Sequence, residues 1–188
     1  MFMLRFVADA FEHEGIDESQ AWVVEYAGSQ NLRDWYRHLS DDLHGTVNVL
    51  ARDAGGNIAS AVSTSGTALK FPGRLGDSPI VGAGNYCDGR YGEPACTGRG
   101  ELGIRNSTAR TVIHALELGL SVVDAATHAM RDIHEPDTFG GMNCLVMDAA
   151  GNRVSATTDT DRENVHWYMN TEMETAERRI GLNIGKQS

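Results

Sequence analysis

The sequence predicts an α+β fold, a layered sandwich of sheets and helices, and two observations carry that prediction. Asp53-Ala54-Gly55-Gly56-Asn57 and Asp148-Ala149-Ala150-Gly151-Asn152 are two copies of one turn. Each follows an apolar run headed by an asparagine, Asn48 to Ala51 and Asn143 to Met147, and each precedes a segment containing Ser-Ala. Gly-Asn between two apolar runs signals a hairpin, because both residues tolerate positive φ. The interval between the two hairpins, in contrast, carries its apolar residues at helical spacing. Strands, then helices, then strands again build a sheet that helices cover.

The elements follow in order. Leu4, Phe6, Val7, Ala10 and Phe11 predict a short amphipathic helix that Gly15 ends, and Ser19 to Ser40 reads as polar helix and loop. Trp22, Trp35 and Tyr36 in that stretch need a surface to cover. A strand starts at Thr46, and its hairpin partner ends in Ser63-Thr64-Ser65-Gly66. A further strand-like run ends at Thr97-Gly98. Asn106-Ser107-Thr108 reads as a helix cap, and the helix from Ser107 to Leu118 aligns Ala109, Val112, Ile113 and Leu116 before Gly119 stops it. Ser121-Val122-Val123-Asp124 is a capping box that opens a second helix, running to about His134 and stopped by Pro136. After the second hairpin, Glu172 to Ser188 reads as a loosely held polar tail.

Composition narrows the functional classes. A chain of 188 residues with 41% hydrophobic and 22% charged residues fits one globular domain with a sizeable core. A formal net charge of −10 argues against nucleic acid or an anionic membrane as a main partner, and leaves a small molecule. Cys87, Cys96 and Cys144, an odd set without a CxxC, read as reduced thiols of a cytoplasmic protein. The opening Met1-Phe2-Met3-Leu4-Arg5 lacks the basic region and cleavage site of a signal peptide, and no apolar run is long enough to span a bilayer. Gly82-Ala83-Gly84 lacks the third glycine of a dinucleotide fingerprint, so no cofactor is expected. His114, His128 and His134 share no ligand spacing, and no metal is expected.

The chemistry concentrates around one residue, Thr46, which follows Gly45 at the head of a strand. Taken alone it is an ordinary β-forming threonine. A threonine hydroxyl needs an adjacent base to act as a nucleophile, and an N-terminal threonine carries one in its own α-amine, with a pKa near ~8. Cleavage of the Gly45–Thr46 bond by the Thr46 hydroxyl would expose that amine, and glycine before the bond lets the hydroxyl approach. Hairpin pairing brings Thr64 near Thr46, where its hydroxyl can orient the nucleophile. Arg74 and Asp77 lie in a loop stiffened by Pro72, Gly73, Gly76 and Pro79. A guanidinium grips a carboxylate and an aspartate pairs with an ammonium, so the two can clamp the α-groups of an amino acid. The Thr97 hydroxyl and the Gly98 backbone N–H can stabilise a tetrahedral oxyanion.

In this order, Gly45-Thr46, Ser63-Thr64-Ser65-Gly66, Pro72-Gly73-Arg74-Leu75-Gly76-Asp77-Ser78-Pro79, Gly82-Ala83-Gly84 and Thr97-Gly98-Arg99-Gly100-Glu101 resemble the N-terminal-nucleophile asparaginases. That family comprises glycosylasparaginases, plant-type asparaginases and isoaspartyl peptidases. The wording His44-Gly45-Thr46 and Thr97-Gly98-Arg99-Gly100-Glu101 is most similar to bacterial and archaeal glycosylasparaginase-like members. The resemblance implies a four-layer αββα sandwich, self-cleavage before Thr46, and hydrolysis of an aspartyl side-chain amide. It makes Thr46 the nucleophile, Thr64 its neighbour, Arg74 and Asp77 the substrate clamp, and Thr97 with Gly98 the oxyanion site.

It also divides the chain into residues 1–45, resembling the end of an N-terminal half, and residues 46–188, the catalytic half. Family members carry a longer first half, so the sandwich is expected to be incomplete, with assembly into a homo-oligomer or pairing with a chain that supplies the remainder. The clamp reads only the aspartyl end, which leaves the leaving group open among ammonia, a glycosylamine and a peptide. Isoaspartyl peptidase activity is one alternative, and an inactive fragment or non-catalytic subunit that needs a partner chain is the other.

Overall fold

A computed structural model describes residues 45–67, 70, 73–133, 141–159 and 163–185. The helices expected before Ser40 and the helix end expected at His134 to Pro136 lie outside these residues. The chain divides into two compact units, Met1–His44 with Ser65–Arg74, and Gly45–Thr64 with Leu75–Ser188. In the first unit the Lys70 ammonium donates to the Ser65 carbonyl at 2.5 Å.

The second unit is mixed α and β. Its first hairpin joins β1 (Thr46–Arg52) to β2 (Ile58–Thr64) in antiparallel register, with Thr46 opposite Thr64 and Arg52 opposite Ile58. Its second joins β4 (Met142–Asp148) to β5 (Arg153–Thr157). The repeated turn has one geometry in both. Asp53 accepts from the backbone and side-chain amides of Asn57, each at 2.8 Å, and Asp148 accepts from Asn152 in the same way. Gly56 and Gly151 take the positive φ, at 85° and 92°. The asparagines do not, as their sequence position had suggested. Their amides instead close a pincer on the aspartate, a side-chain mimic of a backbone turn.

The central sheet has the order β3-β4-β5-β8, where β3 is Gly92–Gly98 and β8 is Leu182–Asn183. Its alternation divides two faces. Cys96, Met142, Cys144, Val146, Val154 and Ala156 point into one core with Ala109, Val112, Ala126, Ala129 and Met130 of the helices. Burying each larger apolar side chain here contributes about 1.5–3 kcal/mol. Glu93 and Ala95, between these positions on β3, belong to the opposite face, against which β1 and β2 pack.

Among the described residues three helices separate β3 from β4: α1 (Gly100–Asn106), α2 (Thr108–Glu117) and α3 (Val122–Arg131). The first was not anticipated as a separate helix. Ser107, at φ 46°, breaks the chain between α1 and α2 and occupies the cap of α2 without a side-chain capping bond. The Gly82 and Ala83 carbonyls instead accept the amides of Arg110 and Ala109, at 2.9 and 3.2 Å. The capping box at Ser121 is present: its hydroxyl accepts the Asp124 amide at 3.2 Å.

The last segment corrects the expectation of a loose tail. β7 (Glu177–Ile180) pairs antiparallel with β6 (Val165–Tyr168), and β8 pairs parallel with β5. Asn164 holds the crossing, its carbonyl accepting from Gly181 N at 2.8 Å and its amide donating to Leu182 O at 3.2 Å. Those backbone pairs order a sequence whose own pattern is only charged and polar. Among the described residues no helix is long and apolar enough to cross a membrane, and all three cysteines are free thiols.

Candidate active site

Thr46 opens β1, and the hairpin register sets Thr64 directly across from it. Their hydroxyl oxygens lie 2.9 Å apart, a hydrogen bond in which either is the donor. The turn at Asp53–Asn57 fixes this register, since a slip of one residue would turn Thr64 to the other face. Thr46 is half-buried, and Gly45 before it is exposed.

Thr97 and Gly98 end β3, the strand on which β1 packs. Gly98 adopts φ 116°, and a Cβ there would come within 2.3 Å of the Gly141 carbonyl oxygen. A side chain at this point would therefore push β3 off the start of β4. Thr97 is half-buried and accepts a hydrogen bond from the Asn143 amide at 3.1 Å.

Asp77 is buried, with 4% of its surface exposed. Glycines make that burial possible. A Cβ on Gly84 would meet the Asp77 carbonyl oxygen at 2.5 Å, and one on Gly100 would meet the Asp77 amide nitrogen at 2.7 Å and Oδ1 at 2.9 Å. The structure thus seats Asp77 against Gly100, the second residue after Gly98, so Asp77 and the expected oxyanion motif share one neighbourhood. Gly82-Ala83-Gly84, set aside above as a cofactor motif, serves instead to carry Asp77 and to receive the first amides of α2. Arg74, half-buried, closes the Ser65–Arg74 segment of the first unit.

A cavity of about 280 Å³ opens beside Thr97, lined by Asn143, Thr157, Asp159, Glu163, Asn164 and Val165. The sequence names only Asn143 among the lining residues after Thr97, and only as the head of an apolar run, not as a site residue. Their signal is positional: Asn143 and Thr157 are opposite each other on β4 and β5, and Thr97 is opposite Asn143 on β3. One polar residue from each of three neighbouring strands therefore forms a row. Glu163 is paired with Arg178.

Two further polar residues, Ser155 and Glu93, lie on the same sheet. The Ser155 hydroxyl and His166 Nδ1 are 2.8 Å apart, and burial, followed by the charges of Arg153 and Arg179, holds the imidazole below its ordinary pKa. Glu93 is fully buried on β3, and burial pushes its carboxyl up to about 7, the backbone of Ala51 offsetting part of the rise. Among the described residues no group of three or more His, Cys, Asp or Glu side chains is arranged to hold a metal ion.

A protein-family model described as Asparaginase matches residues 9–178 of this chain. The isoaspartyl peptidase of Salmonella typhimurium is 41% identical over 109 residues, 57% of this chain and 34% of that protein. The isoaspartyl peptidase/L-asparaginase of Rattus norvegicus is 44% identical over 86 residues, 46% of this chain and 26% of that protein. A Drosophila sechellia protein with the provisional name N(4)-(beta-N-acetylglucosaminyl)-L-asparaginase is 36% identical over 111 residues, 58% of this chain and 28% of that protein. The matched stretch spans about a third of the length of these relatives, or less.

Proposed function

Because this chain belongs to the asparaginase family, we propose that it is a self-processing threonine amidohydrolase acting on the side-chain amide of asparagine or N4-glycosylated asparagine. The observation that carries the reading is the Thr46–Thr64 hydroxyl pair at 2.9 Å, at the head of a strand packed on the one that ends in Thr97-Gly98. The Thr46 hydroxyl attacks the Gly45 carbonyl and the Gly45–Thr46 amide bond breaks, which frees the α-amine and moves the Gly45 acyl group to Oγ1. Water then hydrolyses that ester, leaving a Gly45 carboxylate and the Thr46 hydroxyl. In turnover the amine removes the hydroxyl proton as Oγ1 attacks the substrate amide, and later delivers that proton to the departing nitrogen. Water, deprotonated by the same amine, then releases the aspartyl group from Thr46.

The other residues divide the remaining work. Arg74 binds the substrate α-carboxylate through two parallel hydrogen bonds, and Asp77 binds the α-ammonium. What supports the second role is that Asp77 packs closely against Gly84 and against Gly100, the latter in the segment that leads on from Thr97-Gly98. The Thr97 hydroxyl and Gly98 N–H receive the oxygen that turns anionic in the transition state. On this reading the helices, the β3-β4-β5-β8 sheet and the β1-β2 hairpin are layers of an αββα sandwich.

Isoaspartyl peptidase activity is the second reading. It is supported by the names of the Salmonella and rat relatives and by a cavity of about 280 Å³ next to Thr97, far roomier than departing ammonia needs. Parallel assays on asparagine, a β-aspartyl dipeptide and N-acetylglucosaminyl-asparagine separate the leaving groups. Intact mass spectrometry tests the processing: two fragments meeting between Gly45 and Thr46 are expected. A chain that stays uncut and turns over none of the three amides refutes the proposal.

A further inference from the structure

We propose that Asn143 is a positioning residue that aims the Thr97 hydroxyl at the oxyanion, an inference that rests on the amidohydrolase reading above. Antiparallel pairing of β3 with β4 sets Thr97 opposite Asn143, and the Asn143 side-chain amide donates to Thr97 Oγ1 at 3.1 Å. A hydroxyl has one proton to give and two lone pairs that accept. A donor already occupies the side of Thr97 Oγ1 that faces β4. The Thr97 proton therefore has no acceptor there and is directed elsewhere, to the carbonyl oxygen that gains charge during attack by Thr46.

The placement of Asn143 is well determined. β4 is flanked by β3 and β5, and Asn143 is paired with Thr97 on one side and Thr157 on the other. The next residue, Cys144, is buried in the helix-facing core beside Cys96, so β4 cannot shift by one residue without exposing that core. Both Thr97 and Asn143 line the cavity beside the site. An oxyanion donor is effective when its geometry is fixed before the reaction, and a rotating hydroxyl must otherwise be oriented during it.

The test is a double-mutant cycle on processed protein, with rates expressed per exposed Thr46 amine. Asn143→Asp has the same shape but only accepts, so it draws the Thr97 proton toward β4. It is expected to lower kcat by about 10²–10³, the range for loss of an oxyanion donor, with KM within about threefold of the parent. Asn143→Ala leaves the hydroxyl free to rotate and is expected to cost less, about tenfold, and it replaces the aspartate variant if that one does not fold. Thr97→Val is expected to match the loss in Asn143→Asp, and the double variant to be no slower than Thr97→Val alone. Losses that multiply in the double variant would show that Asn143 does not act through Thr97, as would a Thr97→Val variant with parental kcat. Those outcomes overturn this inference while leaving the amidohydrolase reading intact. A processed parent enzyme inert on all three β-amides overturns both.

Discussion

Replacing Glu93 by glutamine isolates a stability term whose size and sign follow from one buried group. Glu93 lies on β3 on the face turned toward β1, has no exposed surface, and finds no side-chain partner for either oxygen among the described residues. Burial therefore favours its neutral form, and its carboxyl is pushed up to about 7 from 4.5. The native state binds this proton more tightly than the unfolded chain does. Its contribution to stability is then complete below about pH 4.5 and is lost as pH rises through about 7. At about 1.4 kcal/mol for each pH unit between those limits, the full effect is about 3.5 kcal/mol at most.

Glu93→Gln keeps the shape of the protonated acid and removes the ionisation. The difference in unfolding free energy between variant and parent should therefore grow in favour of glutamine from pH 4.5 to 8, by up to about 3.5 kcal/mol. Any fixed cost of burying the amide shifts every point equally and leaves that slope unchanged. His166 works in the opposite direction, because its pKa is lowered in the fold and its contribution is lost as pH falls. It is common to both proteins and cancels in the difference. Urea unfolding at a series of pH values is the assay, carried out on a Thr46→Ala background so that the chain stays continuous. A difference that does not change between pH 4.5 and 8 would refute the argument that Glu93 is held neutral by burial.

Thr46→Ala is expected to abolish both chain cleavage and turnover, read by intact mass and product release; hydrolysis that persists in this variant would exclude Thr46 as the nucleophile. Gly100→Ala places a methyl group 2.7 Å from the Asp77 amide nitrogen, and the forced displacement should cost about 1–3 kcal/mol and raise KM more than it lowers kcat. Ser121→Ala removes the acceptor of the Asp124 amide at the start of α3 and should lower stability by about 1 kcal/mol without changing kcat/KM, as judged by thermal unfolding and steady-state rates.

What could be read from the sequence was decided by how local each interaction is. The two hairpins were legible because their turns close on themselves: Asp53 and Asn57, or Asp148 and Asn152, need only each other. The Thr46–Thr64 pair was legible for the same reason, since a turn of known length sets every pairing behind it. The strands after Val165 were not legible. Glu177-Arg178-Arg179-Ile180 has no apolar alternation, and its pairing with β6 depends on a partner that the local pattern does not reveal.

The same distinction explains which half of the candidate site stayed hidden. Thr97 and Asn143 are 46 residues apart, and α1, α2 and α3 intervene between their strands. Nothing in either segment specifies the register that joins them. It is set by the burial of Cys96, Cys144 and Val146 under α2 and α3, which leaves only one phase of β4 that keeps the core dry. Asn143 did leave a trace, as the one polar residue heading the run Asn143-Cys144-Leu145-Val146-Met147. In a strand buried on the helix side, a polar residue at the opposite phase is tolerated only where it finds a polar partner or water. A polar head on an otherwise apolar central strand thus points to a polar partner on the neighbouring strand, and here that partner is Thr97.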